Sequence, residues 1–304
     1  MIRAVLLGAL AVTSAPAWLE SPDGVYNASV AHDLEWYERK GLPSLLCGIA
    51  KVGITNMAAA GFRLVRRHRR LREKLADPAF ARAVLVRSPF ERFASFYRNK
   101  IQMIATYRNR TLSLDPATHV RAYNALLLDR ANDSTAHAPR AYALALWATG
   151  DTRAVEGHVR SMTATCLLDC VRFDVVGALE DTADFARRMR GEGGEGFEWP
   201  HVHSNALDAR AARVADFDCV TREAIFQAYW EDFAALAAHQ PRAPPVARAY
   251  GALRCSKDQV LREVALSDDP LARDLAARID AFDDRRIRRP LECRSSREGD
   301  VGRT

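Results

Sequence analysis

Lysine is scarce in this 304-residue chain: only five of the 44 basic residues (Lys40, Lys51, Lys74, Lys100 and Lys257) are lysine, and the rest are arginine. The bias is compositional, so each lysine departs from the chain's default cation. A long apolar run is also missing. The longest near the N-terminus, Ala4 to Val12, falls well short of the ~20 residues a membrane helix needs. With 48% apolar and 27% charged residues, a multi-pass membrane protein and a disordered chain are both excluded. The chain has no Gly-x-x-x-x-Gly-Lys-Ser/Thr loop, so the nucleotide-triphosphatase fingerprint is absent. No internal repeat is present. The net charge of +6 suits an anionic ligand without diagnosing one.

What is there begins with a leader. Arg3, the apolar run and Ala15-Pro16-Ala17 read as a signal peptide over residues 1–17, with a short uncleaved anchor as the alternative. Six cysteines (Cys47, Cys166, Cys170, Cys219, Cys255 and Cys293) suit an oxidising lumen, and their pairing stays open. Zinc at Cys166 and Cys170 is the weaker reading, because no second ligand pair stands at matching spacing. Sequons at Asn27, Asn109 and Asn132 agree with secretory passage.

Residues 18–42 form a polar approach segment, 43–240 the main domain and 241–304 a charged helical tail beyond a Pro-Arg-Ala-Pro-Pro linker. Strands are expected at 45–50, 83–86 and 173–177. Helices are expected at 56–76, 89–100, 115–130, 139–149, from 182, at 211–236 and at 268–285. This alternation predicts an α/β fold with a central, mainly parallel sheet flanked by helices. The run Arg66-Arg67-His68-Arg69-Arg70 is either a solvated face or a contact for an anionic polymer.

Two segments carry anion chemistry. In Cys47-Gly48-Ile49-Ala50-Lys51-Val52-Gly53-Ile54-Thr55-Asn56, a strand enters a tight loop and a helix leaves it. Free amides at the helix start, the Lys51 charge and the Thr55 hydroxyl converge on one place. In Val84-Leu85-Val86-Arg87-Ser88-Pro89-Phe90-Glu91-Arg92, Arg87 ends a strand and Pro89 opens a helix, with Ser95 two turns on. A guanidinium and a serine hydroxyl form a plausible phosphate clamp.

Together these segments resemble the nucleotide-binding elements of Golgi carbohydrate sulfotransferases, the group holding the chondroitin and HNK-1 enzymes. The first resembles the loop for the donor's 5′-phosphosulfate, and the second, through Tyr97-Arg98-Asn99-Lys100, the element for its 3′-phosphate. His158, Cys166, Asp174, Gly177 and Glu180, then Tyr229-Trp230-Glu231-Asp232-Phe233, are similar in order and spacing to later family segments. Ala50, Ile54, Met57 and Ser88 depart from the family, Ser88 standing where it usually has aspartate. Lys51, Thr55, Arg87 and Ser95 are retained.

The resemblance implies a P-loop-like three-layer fold and sulfuryl transfer from 3′-phosphoadenosine 5′-phosphosulfate to a hydroxyl of a glycan on a proteoglycan or glycoprotein. It implies a Golgi-lumen location in the secretory pathway, with membrane contact only through an uncleaved anchor. Lys51, Val52, Gly53, Thr55 and Asn56 would hold the 5′ side of the donor, and Arg87 and Ser95 the 3′-phosphate. The scheme requires neither a metal nor nucleic acid. Lys51 would act in catalysis with His158 or Glu180 as general base. His201 and His203 could line an acceptor cleft. The competing readings are another nucleotide-dependent transferase, such as a kinase, and a non-catalytic glycan-binding relative with a decayed donor site.

Overall fold

The computed structural model describes residues 34–66, 68–98, 139–150, 158–169, 171–190, 198–200, 214–238 and 250–288. The leader, the sequons, the helix expected at 115–130, His201, His203, Lys100, Cys170 and Cys293 lie outside the described residues.

Five strands form one sheet: β1 (Trp36–Glu38), β2 (Ser44–Cys47), β3 (Arg63–Leu64), β4 (Ala81–Val86) and β5 (Val175–Ala178), in the order β3-β1-β2-β4-β5. The centre is parallel, with Cys47 opposite Val84 and Val86 opposite Ala178. β1 runs antiparallel to both β2 and β3. The fold is α/β with a mostly parallel core, as expected. Leu45, Leu46, Val84, Leu85, Val86 and Val176 are all buried, the continuous apolar run of strands covered on both faces.

Flanking the sheet are α1 (Ile54–Ala59), α2 (His68–Ala76), α3 (Pro89–Phe96), α4 (Pro139–Ala148), α5 (Met162–Cys166) and α6 (Thr182–Arg190). Further along come α7 (Cys219–Ala228), α8 (Trp230–Ala238), α9 (Lys257–Ala265), α10 (Pro270–Ala277) and α11 (Ile279–Arg288). No helix among the described residues is long and apolar enough to cross a membrane.

Several expected elements are subdivided. The helix expected over 56–76 is α1, β3 and α2, because Gly61 takes φ +83° and turns the chain, burying Phe62. The strand expected at 45–50 ends at Cys47, and the one expected at 173–177 is shifted to Val175–Ala178. The helix expected over 211–236 is a short 3₁₀ turn, α7 and α8. Asp218 caps α7, its carboxylate accepting from the Thr221 N–H at 2.7 Å. The single helix expected at 268–285 is α10 and α11, opened by Asp269 as cap and Pro270 in the first turn.

The sheet also begins earlier than residue 43, since β1 lies in the approach segment. The tail is built into the molecule. A first core surrounds the sheet; a second joins Phe90, Phe93, Leu144, Ile225 and Tyr229 to Val260, Leu275 and Ile279 of α9–α11. The disulfide Cys219–Cys255 fastens this tail to the start of α7.

Candidate active site

In parallel strands every carboxyl end faces the same edge, and here three chain segments leave that edge side by side. After β2, Ile49 and Val52 are buried while Lys51 is half-buried between them. The Val52 N–H donates to the Ile49 carbonyl at 3.1 Å, closing a tight turn. Lys51 takes φ +64° and Gly53 φ +73°. A left-handed lysine is strained, and such strain collects at functional loops. The first intrahelical bond of α1 runs from the Met57 N–H to the Gly53 carbonyl at 3.0 Å. The amides of Ile54, Thr55 and Asn56 therefore precede the helical ladder at this edge. Thr55 lies in the first turn of α1, and Asn56 is half-buried.

After β4, Arg87 reaches across to the first loop. Its Nη1 donates to the Lys51 carbonyl at 3.3 Å, and its Nη2 faces Glu91 Oε2 at 3.5 Å. Ser88 is 3% exposed at the cap position of α3, and its hydroxyl has no hydrogen-bond partner among the described residues. Ser95 is buried two turns along the same helix. After β5, Glu180 sits exposed in the 3₁₀ turn Leu179–Asp181. A Cβ placed on Gly53 would lie 3.1 Å from Leu179 Cδ1 and 3.8 Å from the Trp199 ring, so this third segment packs directly on the first loop.

The loop has a second support that sequence reasoning missed. Arg92, 1% exposed, donates from Nε to the Ala50 carbonyl at 3.0 Å. Arg87 and Arg92 thus hold two successive loop carbonyls. In the sequence Arg92 stands beside Glu91 on an amphipathic helix, so its local pattern matches a solvated helix face and gives no signal of burial. Asp232 supplies electrostatic balance from α8. Burial pushes its carboxyl up, while Arg92 and the N–H groups of Met162 and Thr163 favour the ionised form. Those two amides donate to it at 2.9 and 2.7 Å.

Asp232 therefore caps α5, and α5 is tied to the site by the disulfide Cys47–Cys166. That bond takes Cys166 out of the zinc alternative. His158 lies half-buried in the turn ahead of α5, beside Val159, whose carbonyl accepts from the Tyr229 hydroxyl at 2.7 Å. Lys51, Val52, Gly53, Asn56, Arg87, Ser88 and Glu180 thus converge on one edge, with Thr55 and Ser95 on the helices that leave it. His158 is joined to it through α5.

A family model described as sulfotransferase family matches residues 45–194, the stretch from β2 to just beyond α6. Residues 45–194 are a sulfotransferase-family domain. This sulfotransferase domain contains both anion segments, the disulfide and the His158 turn. The Asp232 helix and α9–α11 lie beyond the match. Neither a curated protein nor a solved structure gives a significant match.

Proposed function

We propose that the carboxyl edge binds 3′-phosphoadenosine 5′-phosphosulfate and that the enzyme moves its sulfuryl group to a hydroxyl of a glycan. The observation that carries this reading is the Arg87–Lys51 contact, which brings the two anion segments together on adjacent strand ends. Ser88 fits the same reading, since its buried hydroxyl has a spare donor beside Arg87.

In-line sulfuryl transfer is accelerated chiefly by positioning and by stabilising charge as it develops on the leaving oxygen. Lys51 and the first-turn amides of α1 would steady that charge on the 5′ side, with Thr55 on the same phosphate. Arg87 and Ser95 would hold the 3′-phosphate. The acceptor hydroxyl must lose a proton, and His158 or Glu180 would take it. Disulfides at Cys47–Cys166 and Cys219–Cys255 support folding in an oxidising compartment, in keeping with the Golgi lumen.

Incubation with labelled donor and a glycan panel tests the reading. Labelled sulfate should appear on a glycan, and Lys51→Ala or Arg87→Ala should lower the rate by ~100-fold or more without moving thermal unfolding appreciably. Wild-type activity in both variants would overturn the site. Protection by ATP rather than by 3′,5′-ADP would favour a kinase. For the base, His158→Ala and Glu180→Gln are to be compared across pH; the true base is the one whose loss removes the acidic limb of the rate profile.

A further inference from the structure

A cleft of about 800 Å³ opens at the opposite edge of the sheet, where β2 and β4 begin. Its walls come from the β1–β2 turn, the start of β3, one face of α2 and Phe80. Five of its lining residues are cationic (Arg39, Lys40, Arg63, Arg70 and Lys74), and one, Glu38, is acidic. Glu38 is already engaged by Arg70 at 3.0 Å and by Lys74. Lys40 and Arg63 are exposed and have no acidic partner among the described residues. Two of the chain's five lysines stand here, and Arg70 closes the basic run noted in the sequence. Like charges drawn from separate segments repel one another, so the cleft stabilises a multivalent anion.

We propose that this cleft binds an anionic saccharide chain, at a site separate from the donor edge. Guanidinium forks and ammonium groups on several walls suit carboxylate or sulfate groups repeated along a chain. A single-stranded nucleic acid would need exposed aromatic faces for stacking. Phe80 is the aromatic lining residue, and the Lys74 ammonium stands 4.7 Å above its ring. A membrane surface would need apolar anchors beside the charge. Leu71 and Leu75 of α2 are instead buried in the core. The cleft and the donor edge are separated by β2, four residues or about 13 Å. One glycan could therefore be gripped by its anionic groups at one edge while a hydroxyl further along reaches the other. In that role the cleft rests on the glycan-acceptor reading above.

The test is calorimetric titration of the full chain with size-defined sulfated and carboxylate-only oligosaccharides, with and without saturating 3′,5′-ADP. Anionic lipid vesicles and single-stranded DNA serve as competing probes. At least one oligosaccharide should bind in a salt-sensitive way, whether or not the nucleotide is present. Lys40→Ser/Arg63→Ser/Arg70→Ser should weaken it at least tenfold while 3′,5′-ADP binding is kept. The single exposed Lys40→Glu should weaken it too, so misfolding of the triple variant would not hide the answer. Unchanged affinity in the variants, displacement by 3′,5′-ADP, or tighter binding of vesicles or DNA would overturn the proposal. Loss of 3′,5′-ADP binding in the wild type would instead overturn the donor reading and leave the cleft result intact.

Discussion

Lys51 stands at the carboxyl edge of the sheet with a backbone angle, φ +64°, that its side chain disfavours. The left-handed conformation costs a non-glycine residue about 1–2 kcal/mol. Glycine would remove that strain but enlarge the unfolded ensemble. Lys51→Gly should therefore raise stability by about 0.5–1 kcal/mol in denaturant titration while abolishing transfer. A drop in stability would show that the lysine side chain holds the loop. Tyr97 offers a test of burial at the same scale. Burial pushes its phenol up from the ordinary 10.0 to about 12. The folded state therefore favours the neutral phenol, and its contribution is complete below pH 10 and lost as pH rises towards 12. Wild type should lose on the order of 2 kcal/mol through that window; Tyr97→Phe should lose less, read by thermal unfolding against pH.

The elements around the loop form a connected frame. α3 sends Arg92 to the Ala50 carbonyl, α8 sends Asp232 to the start of α5, and the Cys47–Cys166 disulfide returns to the end of β2. Removing the cation would leave a buried carboxylate facing only amides, a change that typically costs about 3–5 kcal/mol. Arg92→Met should destabilise the protein by that order and raise KM for the donor more than it lowers kcat. Arg92→Lys should recover part of the stability, because its ammonium restores the charge without the guanidinium geometry. Equal loss of kcat and no change in KM would argue against a positioning role. This frame was hard to read in the sequence because Arg92 and Asp232 are 140 positions apart. Each looks locally like an ordinary helix-surface charge.

For the whole molecule, Phe233 of α8 packs against both cores, and the tail completes the second. Arg254 binds Glu223 at 2.7 Å and Asp283 at 3.1 Å, joining α7 to α11 from the segment ahead of α9. Glu223 is 1% exposed and also accepts from Gln227 at 2.8 Å, which in turn receives the Trp147 N–H. Glu223→Ala should cost about 3–5 kcal/mol by stranding Arg254 and Gln227, measured as a fall in the denaturant midpoint. A loss below about 1 kcal/mol would mean that the pair behaves like a surface bridge. The 119-residue span closed by Cys47–Cys166 adds a covalent restraint on the unfolded chain.

The sequence by itself determined the α/β class, the strand–loop–helix at Lys51 and the strand-end position of Arg87. These are local patterns: apolar runs, a proline at a helix start and charges at strand ends are written within a few residues of one another. Tertiary structure decided what depends on distant partners. It split the long helix at Gly61, drew β1 and the C-terminal tail into the fold, and paired Cys47 with Cys166. It also buried Arg92 beneath the loop and gathered scattered cations into a cleft at the far edge. Burial and charge pairing depend on which segments meet, and contacts between distant segments leave little trace in local periodicity.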